Sequence, residues 1–537
     1  MSGSDRPAAG GKKLATQQSV NQAVKQICDI MRRSNCAGAL QYVPELTWIL
    51  FLRILDEREE QEAAEARAVG IEYKPSLEAP YRWRDWAAPE GSERARLQSG
   101  ALGAVFHFLN EELLPYLREL GEQPGATSRQ KVISQIMSGV EHTRIDTERN
   151  FLDVIDKVDE IDHTAVETTH VFTLSQVYEG LLLKMGEKGN DGGQFFTPRE
   201  IIRAMVRVVD PRIGETVYDP GCGTGGFLAQ SFEQMTGAGN GNITSAEQLV
   251  TLQEHTFYGR EKDNAIYPIA LANLVLHGID APHVWHGNTL TGTVAYDGLF
   301  EGAPPLYDVI LMNPPFGGKE GKEAQTRFAY KTGATQVLFL QHVIDSLRPP
   351  RGRSDGGTSS HGPAGGGVGG RCGMVIDEGV LFRTNESAFV QSKRKLLDDC
   401  DLWCIVSMPP GVFSQAGAGV KTNLLFFNKG RPTERVWYYD LSDLKVGKKT
   451  PFTLDRMGDF FELVGDCRAG GFVERPDSER SWTVTREEIE ARNYDLKAVN
   501  PHRVVEEDTR TPEELLDLIE EQQRVIADAI KELRGLT

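Results

Sequence analysis

Thr216-Val217-Tyr218-Asp219-Pro220-Gly221-Cys222-Gly223-Thr224-Gly225-Gly226-Phe227 is the stretch that decides the fold of this 537-residue chain. A short β-prone run ends on a carboxylate, glycines follow, and a helical pattern opens at Gly225 and continues to Met235. A strand that breaks into a glycine-rich turn and then a helix is the opening unit of a wound, mostly parallel α/β sheet. Glycines there let a ligand approach the backbone at the helix N-terminus.

The loop also narrows the ligand. Gly221, Gly223 and Gly226 satisfy a GxGxxG spacing, which alone admits an NAD enzyme. No Lys-Ser/Thr pair closes the loop, so a Walker phosphate loop is excluded. Asp219 directly ahead of the glycines would oppose a pyrophosphate. It suits a cationic ligand with a sulfonium and a free ammonium group, so the loop favours S-adenosylmethionine over NAD.

Outward from this unit, β-prone runs alternate with helices. Strands are expected at Thr256–Gly259, His283–His286, Tyr307–Met312, Cys372–Ile376, Leu402–Ser407 and Asn423–Phe427, with helices at Ala265–His277 and Gln336–Leu347. Glu261 ends the second strand, where a carboxylate can accept both ribose hydroxyls; a dinucleotide enzyme shares this feature. Asn288, after the third strand, is placed to meet an adenine edge, or else simply makes a turn.

Asn313-Pro314-Pro315-Phe316 directly follows the fourth strand and points to a reaction. The lone pair of an aromatic amine is delocalised into its ring, so the amine is a poor nucleophile. Hydrogen bonds from its N–H groups to the Asn313 oxygen and the Pro314 carbonyl favour a tetrahedral nitrogen with a directed lone pair. Two prolines stiffen the loop so that both acceptors are preset, and Phe316 offers a face on which a base can stack. These residues predict methyl transfer to an exocyclic base amine, N6 of adenine in the first place. Cytosine N4, RNA and a protein glutamine amide are alternatives, and an NAD-linked oxidoreductase is a more distant one.

The flanks differ in texture. Apolar residues recur at helical spacing at Val20, Val24, Ile27 and Met31 and again from Leu46 to Leu55, with further helical segments at 101–120 and 130–137 and after Thr173. The expected organisation is a disordered leader at 1–18, a helical domain at 19–186, a catalytic domain at 187–475 and a helical, partner-binding region at 476–537. The catalytic domain carries a Gly/Ser/Pro-rich insertion at 349–370, too poor in apolar residues to fold. In the last helix, Leu516, Ile519, Gln523, Ile526, Ile530 and Leu533 fall at heptad positions, fitting packing on its own domain or a seam for another chain.

The net charge of −18 runs against unaided DNA binding, because neutralising phosphates supplies most of such affinity. A local basic channel or a partner must supply the grip. Seven cysteines without CxxC or Cys/His spacing fit a reducing cytoplasm and give no metal site, Cys400 and Cys404 matching one helix face equally well. No apolar run has the length of a membrane span.

Taken with Gly193-Gln194-Phe195-Phe196-Thr197-Pro198-Arg199, the Asp219 loop, Glu261 and Asn313–Phe316 resemble, in this order, the modification subunit of type I restriction-modification systems, a family of DNA adenine N6-methyltransferases. Leu46–Asp56 resembles that family's leader domain, and Asn493-Tyr494-Asp495-Leu496 with the final helix resembles its C-terminal end. The resemblance implies that Gln194, Phe195, Phe196, Thr197, Pro198 and Arg199 lie over the methionine part of S-adenosylmethionine, Thr197 near its carboxylate. It further implies that Thr224, Gly225 and Gly226 contact the cofactor with Asp219, Gly221 and Gly223, that Glu261 binds the ribose, and that Phe413 faces the far side of a flipped base. The implied partners are double-stranded DNA, a DNA-specificity subunit shared by two modification subunits, and a motor-nuclease restriction subunit.

Overall fold

The computed structural model describes residues 17–34, 36, 39–160, 197–237, 240–292, 294–350, 369–413, 420–447, 450–465, 472–503 and 511–535. Gln194, Phe195, Phe196, the helix expected after Thr173, the leader up to residue 16 and residues 351–368 of the insertion lie outside them.

Nine strands form one sheet: β1 Val217–Asp219, β2 Phe257–Glu261, β3 His283–His286, β4 Val309–Met312, β5 Arg371–Asp377, β6 Cys400–Ser407, β7 Thr422–Lys429, β8 Arg435–Asp440 and β9 Ser481–Thr485. Their spatial order is β3-β2-β1-β4-β5-β7-β6-β8-β9. The first five are mutually parallel; β7 runs antiparallel between β5 and β6, and β9 runs antiparallel to β8. The chain reverses its direction of winding between β1 and β4, and a crevice opens there at the carboxyl ends of the strands.

The sheet separates two apolar layers, as its alternating side chains require. Val217 of β1 belongs to the layer that also holds Ile201, Met205, Phe227 and Leu271, whereas Tyr218 belongs to the layer with Leu338, Ile344 and Leu396. Cys400 and Cys404 lie on β6 rather than on a helix, and a bulge between Leu402 and Cys404 places them in opposite layers. They therefore do not converge on a common ligand.

The sheet also extends beyond the catalytic range expected from the sequence. β9 falls within 476–537, so a boundary at 475 cuts the sheet, and β8 was not anticipated. Asn493 and Tyr494 both have positive φ, and the turn they make brings Leu496 N–H onto Leu381 O at 3.1 Å. This segment thereby clasps the helix Glu378–Phe382 that follows β5.

The N-terminal region is helical. Gln17–Arg33 and Ala39–Ala68 are followed by shorter helices, among them Ser128–Met137, which starts on a Thr127/Gln130 capping box. Two of them, Ala39–Ala68 and Ser128–Met137, pack on the catalytic helix Ile266–Leu276. Arg58 donates to Val275 O, and Arg129 grips Asp280 through two hydrogen bonds of 3.0 and 3.1 Å. The final helix, Pro512–Gly535, forms as expected, with its apolar residues in the open: Leu516, Ile519, Ile526 and Ile530 are 60, 52, 57 and 45 % exposed. No described helix is long and apolar enough to cross a membrane.

Candidate active site

β1 delivers Asp219 to the crevice and the glycine loop then turns sharply into the helix Gly226–Thr236. Gly223 and Gly225 have φ of +53° and +80°, a conformation that side chains disfavour. A Cβ on Gly226 would stand 2.8 Å from Ile202 Cδ1, and one on Gly221 would stand 3.2 Å from Met312 Cε. These glycines are close-approach positions as well as turn positions. The loop is tied down from outside: Asn273 Nδ2 donates to Thr224 O at 2.8 Å, and Thr289 Oγ1 donates to Pro220 O at 2.6 Å.

Two buried carboxylates face each other across the loop. Asp219 Oδ1 accepts from Gly221 N–H at 3.1 Å, while Glu261 accepts from Gly223 N–H at 2.9 Å and from Asp263 N–H at 2.8 Å. Burial, with the Glu261 charge adding to it, pushes the Asp219 carboxyl up to about 8. Burial also lifts Glu261 to about 7, against those backbone hydrogen bonds. Among the described residues no cation reverses either shift.

A single cavity is lined by Thr197, Arg199, Asp219, Gly221, Gly223, Thr224, Gly226, Glu261, Asn288, Asn313 and Pro315. The expected residues from β1 to β4 thus converge. Asn288 keeps both of its readings: it lines the cavity, and its Oδ1 accepts from Leu290 N–H at 2.9 Å in a turn. Pro198, Gly225, Pro314 and Phe316 flank the cavity without lining it.

Asn313 leaves β4 with its amide fixed at one end only. Its Nδ2 donates to Thr197 Oγ1 at 3.0 Å, and its Oδ1 is buried without a hydrogen-bond partner among the described residues. Phe316 meets Phe413 edge-to-face, with ring centroids 5.5 Å apart and planes at 76°. The two aromatics are neighbours, and in this arrangement they close on each other.

The cavity also contains residues that the sequence reading missed. Arg260, only 7 % exposed, sits over the rings of Tyr218, Phe300 and Trp285 at 5.5, 5.6 and 5.7 Å. Glu320 reaches the wall because Thr335 Oγ1 donates to its carboxylate at 3.2 Å. Arg260 stands beside Glu261 in β2, and two adjacent charged residues in a buried strand are a readable signal; the Glu320–Thr335 contact has no local signal.

Comparison with known proteins agrees with this geometry. The N-6 DNA methylase family pattern matches residues 169–355 and 366–510, and the HsdM N-terminal domain pattern matches residues 20–158. The type I restriction enzyme EcoEI methylase subunit of Escherichia coli is 33 % identical over 96 % of this chain and 97 % of its own. A modification subunit of a putative type I restriction enzyme from Vibrio vulnificus YJ016 superposes with a TM-score of 0.76 at 31 % identity, covering 93 % of this chain and 99 % of that one. A chain from a structure concerning assembly and conformational transition of the type I R-M system is 36 % identical, with a TM-score of 0.66, over 97 % of this chain and 98 % of its own. These matches span nearly the whole length, and the chain belongs to the N-6 DNA methylase family, among the type I restriction enzyme methylase subunits.

Proposed function

We propose that this protein transfers a methyl group from S-adenosylmethionine to N6 of an adenine flipped out of duplex DNA, as the modification subunit of a type I restriction-modification complex. The observation that carries the reading is Asn313 Oδ1, a buried acceptor without a partner, on the wall of a cavity that also holds two buried carboxylates. An unmatched buried acceptor costs about 1–3 kcal/mol, a cost relieved when a donor arrives.

The residues fit the cofactor. The crowded glycines admit a ligand against bare backbone, and Asp219 and Glu261 offer negative charge and hydrogen-bond acceptors to a cationic nucleoside. Asn288 is placed for the adenine edge and Thr197 and Arg199 for the methionine end, with Gln194, Phe195 and Phe196 preceding them in the chain. The bound group would supply an electrophilic methyl. The protein does the rest. Asn313 Oδ1 and the Pro314 carbonyl accept the two N6 hydrogens and turn the nitrogen lone pair out of the ring, while Pro315 holds the loop rigid. Phe316 and Phe413 part and hold the base, whose extraction from the stack costs a few kcal/mol.

Two features support partners. The net charge of −18 leaves DNA affinity to another chain, and the exposed apolar face of Pro512–Gly535 offers a helical seam. A DNA-specificity subunit shared by two copies of this chain fits both, with a motor-nuclease subunit added for restriction. The test is transfer of labelled methyl to target DNA by the assembled modification complex, followed by digestion to nucleosides. N6-methyldeoxyadenosine is the expected product; label in N4-methyldeoxycytidine or in protein overturns the reading.

Cofactor binding should depend on pH. Asp219 and Glu261 hold protons near pH 8 and 7 in the free protein, and a cationic ligand binds better once they are lost. Affinity is therefore expected to be highest above pH 8 and to weaken as pH falls through both values, by up to about tenfold per unit for each proton retained. Calorimetric titration in buffers of different ionisation enthalpy should register proton release near pH 7. A dissociation constant unchanged from about pH 6 to 8.5 contradicts this electrostatic role.

A further inference from the structure

We infer that Thr197 is a positioning residue for Asn313: its hydroxyl holds the nitrogen end of the amide, so that the oxygen end faces the N6 amine. The inference rests on the reading given under Proposed function and assigns this threonine a task beyond lying along the cofactor.

The two ends of an asparagine amide are nearly equal in size and opposite in hydrogen bonding. The exocyclic amine of adenine carries two hydrogens to donate. An amide turned end for end would set NH2 against NH2, leaving the lone pair undirected. Something must therefore distinguish the ends of Asn313. The hydrogen bond from Asn313 Nδ2 to Thr197 Oγ1, at 3.0 Å, gives the nitrogen end a partner, while Oδ1 has none.

The hydroxyl is held by a stiff support. Thr197 immediately precedes Pro198, which caps the helix Arg199–Val209. That helix lies over the sheet: a Cβ on Gly373 of β5 would stand 3.1 Å from Val209 and 3.4 Å from Met205. Its Ile202 also abuts the glycine loop. One rigid helix thus places Thr197 opposite the end of β4 and fixes its distance from Asn313. Because Thr197 lines the cofactor cavity as well, it stands between the two halves of the site.

Thr197→Val keeps the shape and removes the hydroxyl, and Thr197→Ser restores it. In the assembled complex, Thr197→Val is expected to lower kcat about 5- to 150-fold, the effect of leaving one buried donor without an acceptor. Because Thr197 also lines the cofactor cavity, the cofactor dissociation constant is expected to rise as well, but the fall in kcat should persist at saturating cofactor, and Thr197→Ser should recover most of kcat. If Thr197→Val instead weakens cofactor binding and leaves kcat intact, Thr197 is only a wall of the cofactor site and the inference falls. It also falls if Thr197→Ser is as slow as Thr197→Val. Asn313→Ala is assayed alongside: full activity there overturns the proposed reaction itself, whereas loss of activity there with an unaffected Thr197→Val removes only the positioning role.

Discussion

Asn313→Ala is expected to reduce methyl transfer to DNA by about 10²- to 10³-fold while leaving cofactor affinity almost unchanged. The size follows from where the residue acts. In the proposed reaction its oxygen matters most while N6 passes from a planar, conjugated amine to a tetrahedral nitrogen bearing positive charge. An acceptor preset beside that nitrogen is stronger in the transition state than in the ground state, so its loss falls on kcat. Asp219 and Glu261 are held separately, by backbone hydrogen bonds from Gly221, Gly223 and Asp263. Asn313→Asp, which keeps an acceptor oxygen and loses the nitrogen donor, should retain more activity than Asn313→Ala. Single-turnover transfer in the assembled complex, set beside a cofactor titration, separates the two effects. Equal losses for both variants would show that the residue supports the loop rather than the amine.

How far this site was readable follows from how local its parts are. The Asp219 loop, Glu261 and Asn313–Phe316 are short strings whose conformational demands lie in their own residues: positive φ at Gly223 and Gly225, stiffness at Pro314 and Pro315. Each also follows a strand, and parallel strands deliver their carboxyl ends to the same edge. The residues that hold these strings in place were not readable. Asn273 is a buried polar residue within the apolar helix Ile266–Leu276, and its partner, Thr224, lies 49 positions away. Asn313 and Thr197 are 116 positions apart. Side-chain hydrogen bonds of that span leave no periodicity.

The sheet behaves similarly. Alternation and composition located seven strands, but the insertion of β7 between β5 and β6 is a matter of pairing. β9 is a five-residue strand next to a short helix, Arg486–Ala491, and local propensity alone favours that helix. The apolar stripe on Pro512–Gly535 was legible as a stripe, yet whether it packed at home depended on the whole fold.

Arg129→Met should destabilise the chain by about 3–5 kcal/mol, because it strips the shared cation from a buried acidic cluster. Arg129 reaches Glu62 at 2.7 and 3.0 Å, Asp280 at 3.0 and 3.1 Å, and Glu59 at 3.5 Å, and its side chain is 11 % exposed. Burial pushes the Glu62 carboxyl up, but the Arg129 and Arg58 guanidiniums outweigh it and hold it at about 2. Glu62 thus contributes stability above its unfolded value near 4.5, and the contribution fades as pH falls toward about 2. Without Arg129, burial, which already raises Glu59, and the repulsion between Glu59 and Glu62 favour the protonated glutamates, although Arg58 still pairs with Glu62 at 2.7 Å. The deficit should therefore be greatest at neutral pH and shrink toward about pH 5, as the acids protonate. Urea unfolding of both proteins at several pH values measures it, and a small deficit independent of pH would mean that water screens the cluster. The consequence reaches the active site. Glu59 and Glu62 lie on Ala39–Ala68, Arg129 on Ser128–Met137, and Asp280 just beyond Ile266–Leu276, the helix whose Asn273 holds Thr224. Loosening the clamp should raise the dissociation constant for the cofactor while leaving kcat at saturating cofactor nearly intact. Asn313→Ala produces the opposite division, so the pair of variants separates support of the cofactor loop from chemistry at the amine.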